Sequence, residues 1–314
     1  MKLNIYLHRV IKMTKDFGIL FVIKAVIAKL IYNDRKYSAL LESQIYKLFK
    51  KEIDNIENAP LASDNIERVW TMWWQGEDSL PEVLRLCYNS HKRYIIDQGI
   101  EYVMITQDNY RDYIELPEFI FKKVELGIIS FTHLSDMFRV CLIEKYGGAW
   151  IDITVLLTSP IDRSIFTYDF WSVNMFGTDY TPQHLGQTIT ECRWAGFLLS
   201  ANYPHSPLFK YIKNCQLSYW SRFNSPIDYF FTNLFIKVAF NKNEWVRKII
   251  SMIPVSNINM YYLQDCLNKE YDEKTWNLLC ANTCMFKTTQ KVSYLNQVNG
   301  EETLYFKLLN YYKK

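Results

Sequence analysis

The sequence predicts a mixed α/β protein in which a mainly parallel sheet is flanked by helices and preceded by an N-terminal helical extension. Between residues 65 and 160, short apolar or β-branched runs alternate with longer segments of helical periodicity, a pattern typical of parallel sheets with helical crossovers. Residues 1–58 show helical spacing of apolar residues and no strand-like alternation. Hydrophobic residues make up 49% of the 314 positions and charged residues 22%, which excludes a disordered chain.

The N-terminal region is basic and contains the longest apolar run. Residues 1–50 carry a net charge of +7 and the rest carries −4, an asymmetry that indicates an anionic partner such as membrane lipid. The run at residues 17–32, FGILFVIKAVIAKLIY, contains Lys24 and Lys29. It is therefore too short and too charged to span a bilayer, and no small-residue site for signal cleavage follows it. Two interpretations remain open: an interfacial helix with its lysines at lipid headgroups, or a helix packed on the body of the protein.

A further helix is predicted over residues 37–56, before the chain enters the body. Its apolar residues fall near one face at spacings of three to five positions: Leu40, Leu41, Ile45, Leu48 and Ile53. Asn58-Ala59-Pro60 ends the helical region, since proline does not continue a helix. The predicted division is therefore residues 1–60 as a basic helical extension and residues 61–314 as the body.

Strands and helices alternate in the first half of the body. Strands are predicted at residues 68–74, 101–106 and 149–157, and helices at 81–94, from Leu116-Pro117 onward, and at 130–146. Gly147-Gly148 ends the last of these helices. Beyond residue 160 the pattern is weaker and indicates strands at 170–176 and 196–201 and helices at 207–220 and 229–240.

Charge and cysteine content narrow the class of protein. A net charge of +3 is too small to indicate nucleic acid binding. The seven cysteines are odd in number and include no CxxC pair. They therefore favour reduced thiols in a cytosolic protein over a disulfide framework or a zinc site.

One stretch combines residues that suit a specific chemistry. Asp136 and Arg139 are three positions apart on one predicted helix and so share a face. After Gly147-Gly148, the next strand presents Asp152 and Thr154 on one side, because side chains alternate along a strand. Ligands of open α/β sheets bind at the carboxyl ends of strands. Carboxylates beside an arginine at this edge suit a sugar nucleotide with Mn²⁺ or Mg²⁺, although each residue alone is also typical of a solvated carboxylate, a surface ion pair or a helix stop.

The order and spacing of this stretch resemble a known family. SDMFR at residues 135–139 followed by YGGAWIDIT at 146–154 resembles the SDxxR…GGxxxDxD pattern of GT-A-fold glycosyltransferases. It is similar to family 32, and more narrowly to the bacterial capsular polysaccharide synthesis proteins, whose strand reads GGxWIDxT. Three further segments, VWTMWWQG at 69–76, YRDYIELPEFI at 110–120 and FKTTQK at 286–291, resemble the same family. The likeness spans residues 65 to 300, outside the N-terminal extension.

The resemblance implies a GT-A-type, Rossmann-like fold with a donor half at residues 61–160 and an acceptor half at 161–314. The implied reaction is retaining transfer of a sugar from a nucleotide-diphosphate sugar, a UDP-sugar, to a precursor of capsular or other surface polysaccharide. The implied acceptor is linked to polyprenyl diphosphate. This places the protein in the cytoplasm, peripheral on the inner face of the cell membrane.

The resemblance also implies roles for individual residues. Asp136 would bind ribose or sugar hydroxyls, Arg139 the donor sugar or its phosphate, and Asp152 the sugar nucleotide and the metal; these three are the predicted catalytic residues. Further donor-binding candidates are Ser135 and Gly148, Trp73 and Trp74 stacking on the base, and Lys287 and Lys291 meeting the departing diphosphate. Core packing is the alternative for the two tryptophans, and a solvated basic pair for the two lysines.

The sequence departs from the family pattern at Thr154, which stands where the second Asp of DxD often binds the metal directly. A neutral hydroxyl is a weaker ligand, so Asp162, Asp228, a C-terminal residue or the diphosphate itself could complete the metal shell. Asp228 is also a candidate on the acceptor side. Two rivals remain: a sugar-phosphate transferase, and a non-catalytic, membrane-associated partner of a glycan-synthesis complex.

Overall fold

The computed structural model describes residues 2–31, 33–58 and 64–313. The chain begins with three helices, α1 (Lys2–Phe17), α2 (Ile19–Ile31) and α3 (Asp34–Asp54), as the helical periodicity predicts. Gly18 separates α1 from α2 with a φ of +82°, a backbone conformation that glycine adopts without strain. The predicted end of this region at Ala59-Pro60, and with it the division between residues 60 and 61, lies outside the described residues.

Helix α2 has one buried face and one exposed apolar face. Phe21, Val22, Ala25 and Ala28 are buried against the protein. The outer face exposes seven aliphatic side chains, Ile19, Leu20, Ile23, Val26, Ile27, Leu30 and Ile31. The sequence left open whether this segment packs on the body or lies on a membrane, and the structure shows that packing uses only half of the helix. Over the described ranges, no helix has both the length and the hydropathy needed to cross a bilayer.

The body contains ten further helices and eight strands in its described residues. In chain order these are β1 (Arg68–Met72), α4 (Glu82–Tyr94), β2 (Glu101–Ile105), α5 (Tyr110–Tyr113), α6 (Glu118–Glu125), α7 (Phe131–Tyr146), β3 (Gly148–Ile151), β4 (Val155–Leu157), α8 (Leu185–Thr190), β5 (Leu198–Ala201), α9 (Pro207–Arg222), α10 (Phe231–Lys242), α11 (Glu244–Ser251), α12 (Glu273–Cys280), β6 (Met285–Lys287), β7 (Gln297–Val298), β8 (Glu301–Glu302) and α13 (Leu304–Tyr312).

The central sheet is mainly parallel, as predicted. Its strand order is β2-β1-β3-β5, with β1 parallel to both β2 and β3. Strand β5 closes one edge antiparallel to β3. Helices flank this sheet, so the mixed α/β class predicted from the sequence is confirmed.

Helix α3 contributes to the same hydrophobic core as the body. Leu41, Ile45 and Phe49 are completely buried, and the Phe49 ring meets the Phe235 ring of α10 edge to face at 5.3 Å. Aromatic pairs in this geometry add to the stabilisation from burial. The predicted apolar face of this helix therefore packs on α10.

The strand predicted over residues 149–157 is wrong, because the chain turns in its middle. Strand β3 belongs to the central sheet, whereas β4 pairs antiparallel with β6 in a second sheet. The Asp152 N–H donates to the Phe197 carbonyl at 3.0 Å, and the Val155 N–H donates to the Asp152 carbonyl at 2.9 Å. Asp152 and Thr154 thus lie in a tight turn between two sheets, and not on one side of a strand.

The second half departs from the sequence-based expectation at one strand. Residues 170–176 contain only an isolated bridge from Trp171 to Ser200. The Ser172 hydroxyl donates to the Leu198 carbonyl at 2.6 Å and accepts from the Ala195 N–H at 2.8 Å, so a side chain replaces part of the backbone ladder there. The helices predicted at 207–220 and 229–240 are confirmed as α9 and α10. All seven cysteines lie among the described residues and are free thiols.

Candidate active site

The candidate site lies where the parallel strands β1 and β3 end. Val69 pairs with Ala149 and Trp70 with Trp150, so both strands finish at the same edge of the sheet. Trp73-Trp74 follows β1, and Asp152 follows β3. This carboxyl edge is where open α/β sheets bind their ligands.

Helix α7 brings an ion pair to this edge. The Ser130 hydroxyl accepts from the His133 N–H at 3.2 Å and caps the helix. One turn later, Arg139 Nη2 lies 3.2 Å from Asp136 Oδ1, and both residues are buried. The predicted shared face of Asp136 and Arg139 is therefore confirmed. Arg139 also donates through Nη1 to the Gly196 carbonyl, which ties the helix to the segment before β5.

Asp152 is the centre of the cluster. Its Oδ1 accepts from Trp150 Nε1 at 2.7 Å and lies 3.2 Å from Arg139 Nη2, and its Oδ2 accepts from Lys287 Nζ at 2.9 Å. Burial acts to raise the pKa of this carboxyl, but the charges of Lys287 and Arg139 outweigh it, so the net pKa is lowered. Asp152 is therefore a fixed anion at neutral pH.

Asp136 has the opposite electrostatic setting. Burial raises the pKa of its carboxyl, and the nearby Arg139 charge offsets this only in part. Its Oδ2 lies 3.4 Å from the Thr232 hydroxyl, which donates to it. The environments of Asp136 and Asp152 thus move their pKa values in opposite directions, a property common in functional sites.

Lys287 reaches the cluster through the second sheet. It ends β6 and pairs with Val155, the first residue of β4. Its ammonium donates to Asp152 Oδ2 and to the Thr154 hydroxyl, and lies 4.2 Å from the centre of the Phe197 ring. A cation over an aromatic face is attracted to the ring, so three groups hold this ammonium.

The side chains present do not form the expected metal site. The position between Asp152 and Thr154 is taken by the Lys287 ammonium. Of the two other candidate ligands, Asp162 accepts the Ser164 N–H at 2.9 Å and caps a short helical turn. Asp228 accepts from the Tyr37 hydroxyl at 3.2 Å and is buried. Over the part of the chain that the structure describes, no group of three His, Cys, Asp or Glu residues is placed to hold a metal ion.

The two tryptophans after β1 reach the predicted edge and pack there. The Trp74 ring lies 5.3 Å from the Tyr110 ring and 6.1 Å from the Phe138 ring. Trp73 Nε1 donates to the Ser79 hydroxyl at 2.7 Å. Both side chains are half-buried, so each packs on protein while keeping part of its ring accessible.

The remaining predicted donor residues are Gly148, Lys291 and Ser135, and Gly148 lies away from the cluster. Gly148 is at the opposite, amino end of β3, where a Cβ atom would lie 2.5 Å from the Arg68 carbonyl oxygen. This close approach explains why the position needs glycine. The structure gives no support to the predicted contact between Gly148 and the donor. Lys291 is exposed beyond β6, and Ser135 is half-buried on α7 beside Asp136.

Comparison with known proteins places the chain in a family. A family model described as capsular polysaccharide synthesis protein matches residues 22–308. The chain belongs to this family. A search of curated protein sequences gave no match. Membership of the capsular polysaccharide synthesis family indicates a role in capsule biosynthesis. The match begins inside α2, further toward the amino terminus than the motifs alone suggested.

Several residues of the candidate site were not predicted from the sequence. They are Trp150, Gly196, Phe197, Tyr229 and Thr232, which contact or face the charged cluster. Tyr229 is 48% exposed, and burial together with the charges of Asp136 and Asp152 raises its pKa. Trp150 stands inside the recognised motif and could have been found there. The others come from segments beyond residue 190, where no spacing rule connects them to the motif.

A cavity of about 940 Å³ lies away from the cluster, between α3, α8 and α10. Among its described lining residues, none is a predicted donor residue. The Tyr180 ring on its wall is 5.8 Å from the Tyr261 ring, which in turn is 6.1 Å from the Phe197 ring. Aromatic rings thus connect the wall of this cavity to Phe197 at the charged cluster.

Proposed function

We propose that the protein is a glycosyltransferase that moves a sugar from a nucleotide-diphosphate sugar to a precursor of capsular or other surface polysaccharide. The observation that carries this proposal is the cluster of Asp136, Arg139, Asp152 and Lys287 at the carboxyl edge of the sheet. Carboxylates there can accept hydrogen bonds from sugar or ribose hydroxyls. Cations beside them can bind a diphosphate and stabilise its charge as it departs. This arrangement is consistent with the GT-A-type fold that the motifs imply.

The proposed reaction retains the configuration of the transferred sugar. The bond from the anomeric carbon to the β-phosphate oxygen breaks, and a bond to the acceptor oxygen forms on the same face. The acceptor hydroxyl proton passes to the departing β-phosphate oxygen, so no separate general base is needed. Arg139 and Lys287 stabilise the leaving group, Asp136 and Asp152 orient the donor, and Trp73 or Trp74 stacks on the base, UDP being the expected nucleotide. The divalent metal expected from the motif stays a prediction.

We further propose that the protein works at the inner face of the cell membrane, on an acceptor linked to polyprenyl diphosphate. The exposed aliphatic face of α2 supports this placement. Lys12, Lys15, Lys24 and Lys29 are exposed on α1 and α2 and complement anionic headgroups. A helix with this combination lies in the interfacial plane of a bilayer.

The deciding experiment is donor hydrolysis by the purified protein across a panel of UDP- and GDP-sugars. Slow release of one nucleoside diphosphate, lost in Asp152→Asn and kept in the matched surface variant Asp97→Asn, supports a glycosyltransferase. Release of a nucleoside monophosphate would instead indicate a sugar-phosphate transferase. No release, with no nucleotide raising the melting temperature, would favour a non-catalytic partner in glycan synthesis.

A further inference from the structure

The ammonium of Lys287 lies between the two side chains that the D-x-T turn offers to a cation. It is 2.9 Å from Asp152 Oδ2 and also donates to the Thr154 hydroxyl. The side chains of Lys287 and Asp152 are 25% and 21% exposed, so the pair is largely enclosed and still open to a ligand. A metal ion bound by the same two oxygens would have to displace this ammonium.

We propose that Lys287 is a built-in cation that takes the place of a divalent metal in donor binding. Its ammonium would bind the diphosphate of the nucleotide sugar and stabilise the charge on the departing nucleoside diphosphate. This inference rests on the proposed function and changes what that function requires: the donor binds and reacts without Mn²⁺ or Mg²⁺.

The net charge of the D-x-T turn matches that of a monovalent cation. Two carboxylates in a D-x-D turn would carry a charge of −2 and match a dication. With Thr154 in the last position, the turn carries only the single negative charge of Asp152, and one ammonium balances it. A dication placed beside the Lys287 ammonium would meet strong repulsion, because charges a few ångströms apart in a partly buried site are poorly screened.

The backbone around Lys287 fixes the position of the ammonium. The Lys287 N–H donates to the Met260 carbonyl at 2.8 Å. The next residue, Thr288, donates to the Thr154 carbonyl through both its N–H and its hydroxyl, each at 2.8 Å. The turn and the lysine are therefore joined directly. A preorganised charge stabilises a developing anion without reorganisation at the moment of reaction.

Calorimetric titration with UDP and with GDP, in EDTA and in Mn²⁺, tests this proposal. We expect the wild-type protein to bind its nucleotide with the same affinity, within about twofold, under both conditions. Lys287→Met should weaken binding by about tenfold to a hundredfold in both, the range for a lost hydrogen bond between charged groups. Lys248→Met, which removes an exposed lysine on α11, is the matched control and should bind like the wild type.

Two results would overturn the inference. One is wild-type binding that EDTA abolishes and Mn²⁺ restores; this arm needs no variant and holds even if Lys287→Met does not fold. The other is a folded Lys287→Met protein with wild-type affinity. Failure of the proposed function looks different, since then neither nucleotide binds under either condition and no donor is hydrolysed.

Discussion

Arg139 Nη2 lies 3.2 Å from Asp152 Oδ1, and this contact joins the middle of α7 to the end of β3. The same nitrogen is 3.2 Å from Asp136 Oδ1. One buried guanidinium therefore bridges two carboxylates from different elements, and Lys287 supplies the second positive charge beside Asp152. The residues of SDMFR and of WID are separate in the sequence and meet in space, because the helix and the strand after it return to the same edge of the sheet.

Replacing Arg139 by Met should be strongly destabilising. The change leaves the buried Asp136 without a cation and Asp152 with Lys287 alone, and breaking a buried charge pair in this way costs about 3–5 kcal/mol. Urea denaturation would measure the loss. The matched control is Arg163→Met, because Arg163 pairs with Glu67 at the surface with its side chain 51% exposed, and such pairs contribute at most about 1 kcal/mol. Equal losses in the two variants would contradict the buried cluster.

The exposed face of α2 can be tested by placing charge on it. The double variant Leu20→Asp, Leu30→Asp alters side chains that are 72% and 79% exposed, so folding should be unaffected. Burying one leucine side chain in lipid contributes about 1.5–3 kcal/mol, and we expect binding to fall at least tenfold. Co-sedimentation with vesicles of phosphatidylcholine and phosphatidylglycerol measures it. Leu126→Asp, Leu278→Asp is the control, and equal binding by both doubles would argue against α2 as the lipid-binding surface.

Gly148 should tolerate no side chain. Gly148→Ala places a methyl group 2.5 Å from the Arg68 carbonyl oxygen at a φ of +84°, so the strained backbone and the clash add together. We expect a loss of about 3 kcal/mol or more in the free energy of unfolding. Gly99→Ala isolates the backbone component, since Gly99 has a φ of +75° with open space around it, and should cost about 1–2 kcal/mol. A similar melting temperature for both variants would show that β1 and β3 can separate to accept the methyl group.

His91 makes stability sensitive to mild acid. Its Nε2 lies 2.7 Å from the Val155 carbonyl oxygen and its Nδ1 2.9 Å from the Tyr102 hydroxyl, a setting for the neutral ring. Burial lowers its pKa to about 4. The unfolded chain takes up this proton at a higher pH than the folded protein does. The stability that the neutral ring contributes is therefore fully present above about pH 6.5 and is lost as the pH falls toward 4, roughly 3 kcal/mol in all.

Chemical denaturation at pH 7, 6 and 5 checks this titration. The wild-type protein should lose stability across the series, and His91→Gln should lose less because it has no ring to protonate. His205→Gln, at a side chain that is 73% exposed, should follow the wild type. Parallel pH curves for all three proteins would assign the acid sensitivity to other groups.

Much of the fold was predictable because local patterns determine local structure. The alternation of apolar runs predicted β1, α4, β2, α7 and β3, and the three-residue spacing correctly placed Asp136 and Arg139 on one helix face. The error at residues 149–157 arose because a β-branched run continues through a turn without interruption. Periodicity does not show where such a run passes from one sheet to another.

The sequence by itself determined the α/β class, the helix that carries Asp136 and Arg139, and the apolar character of α2. Only the tertiary structure decided that Lys287, 135 positions from Asp152, supplies the ammonium beside it, that Gly148 packs at the far end of its strand, and that α2 buries one apolar face and exposes the other. The physical reason is how far apart along the chain the interacting residues lie. Helix faces and turns follow from neighbours a few residues apart, whereas pairing between β4 and β6 depends on how the whole chain packs its core.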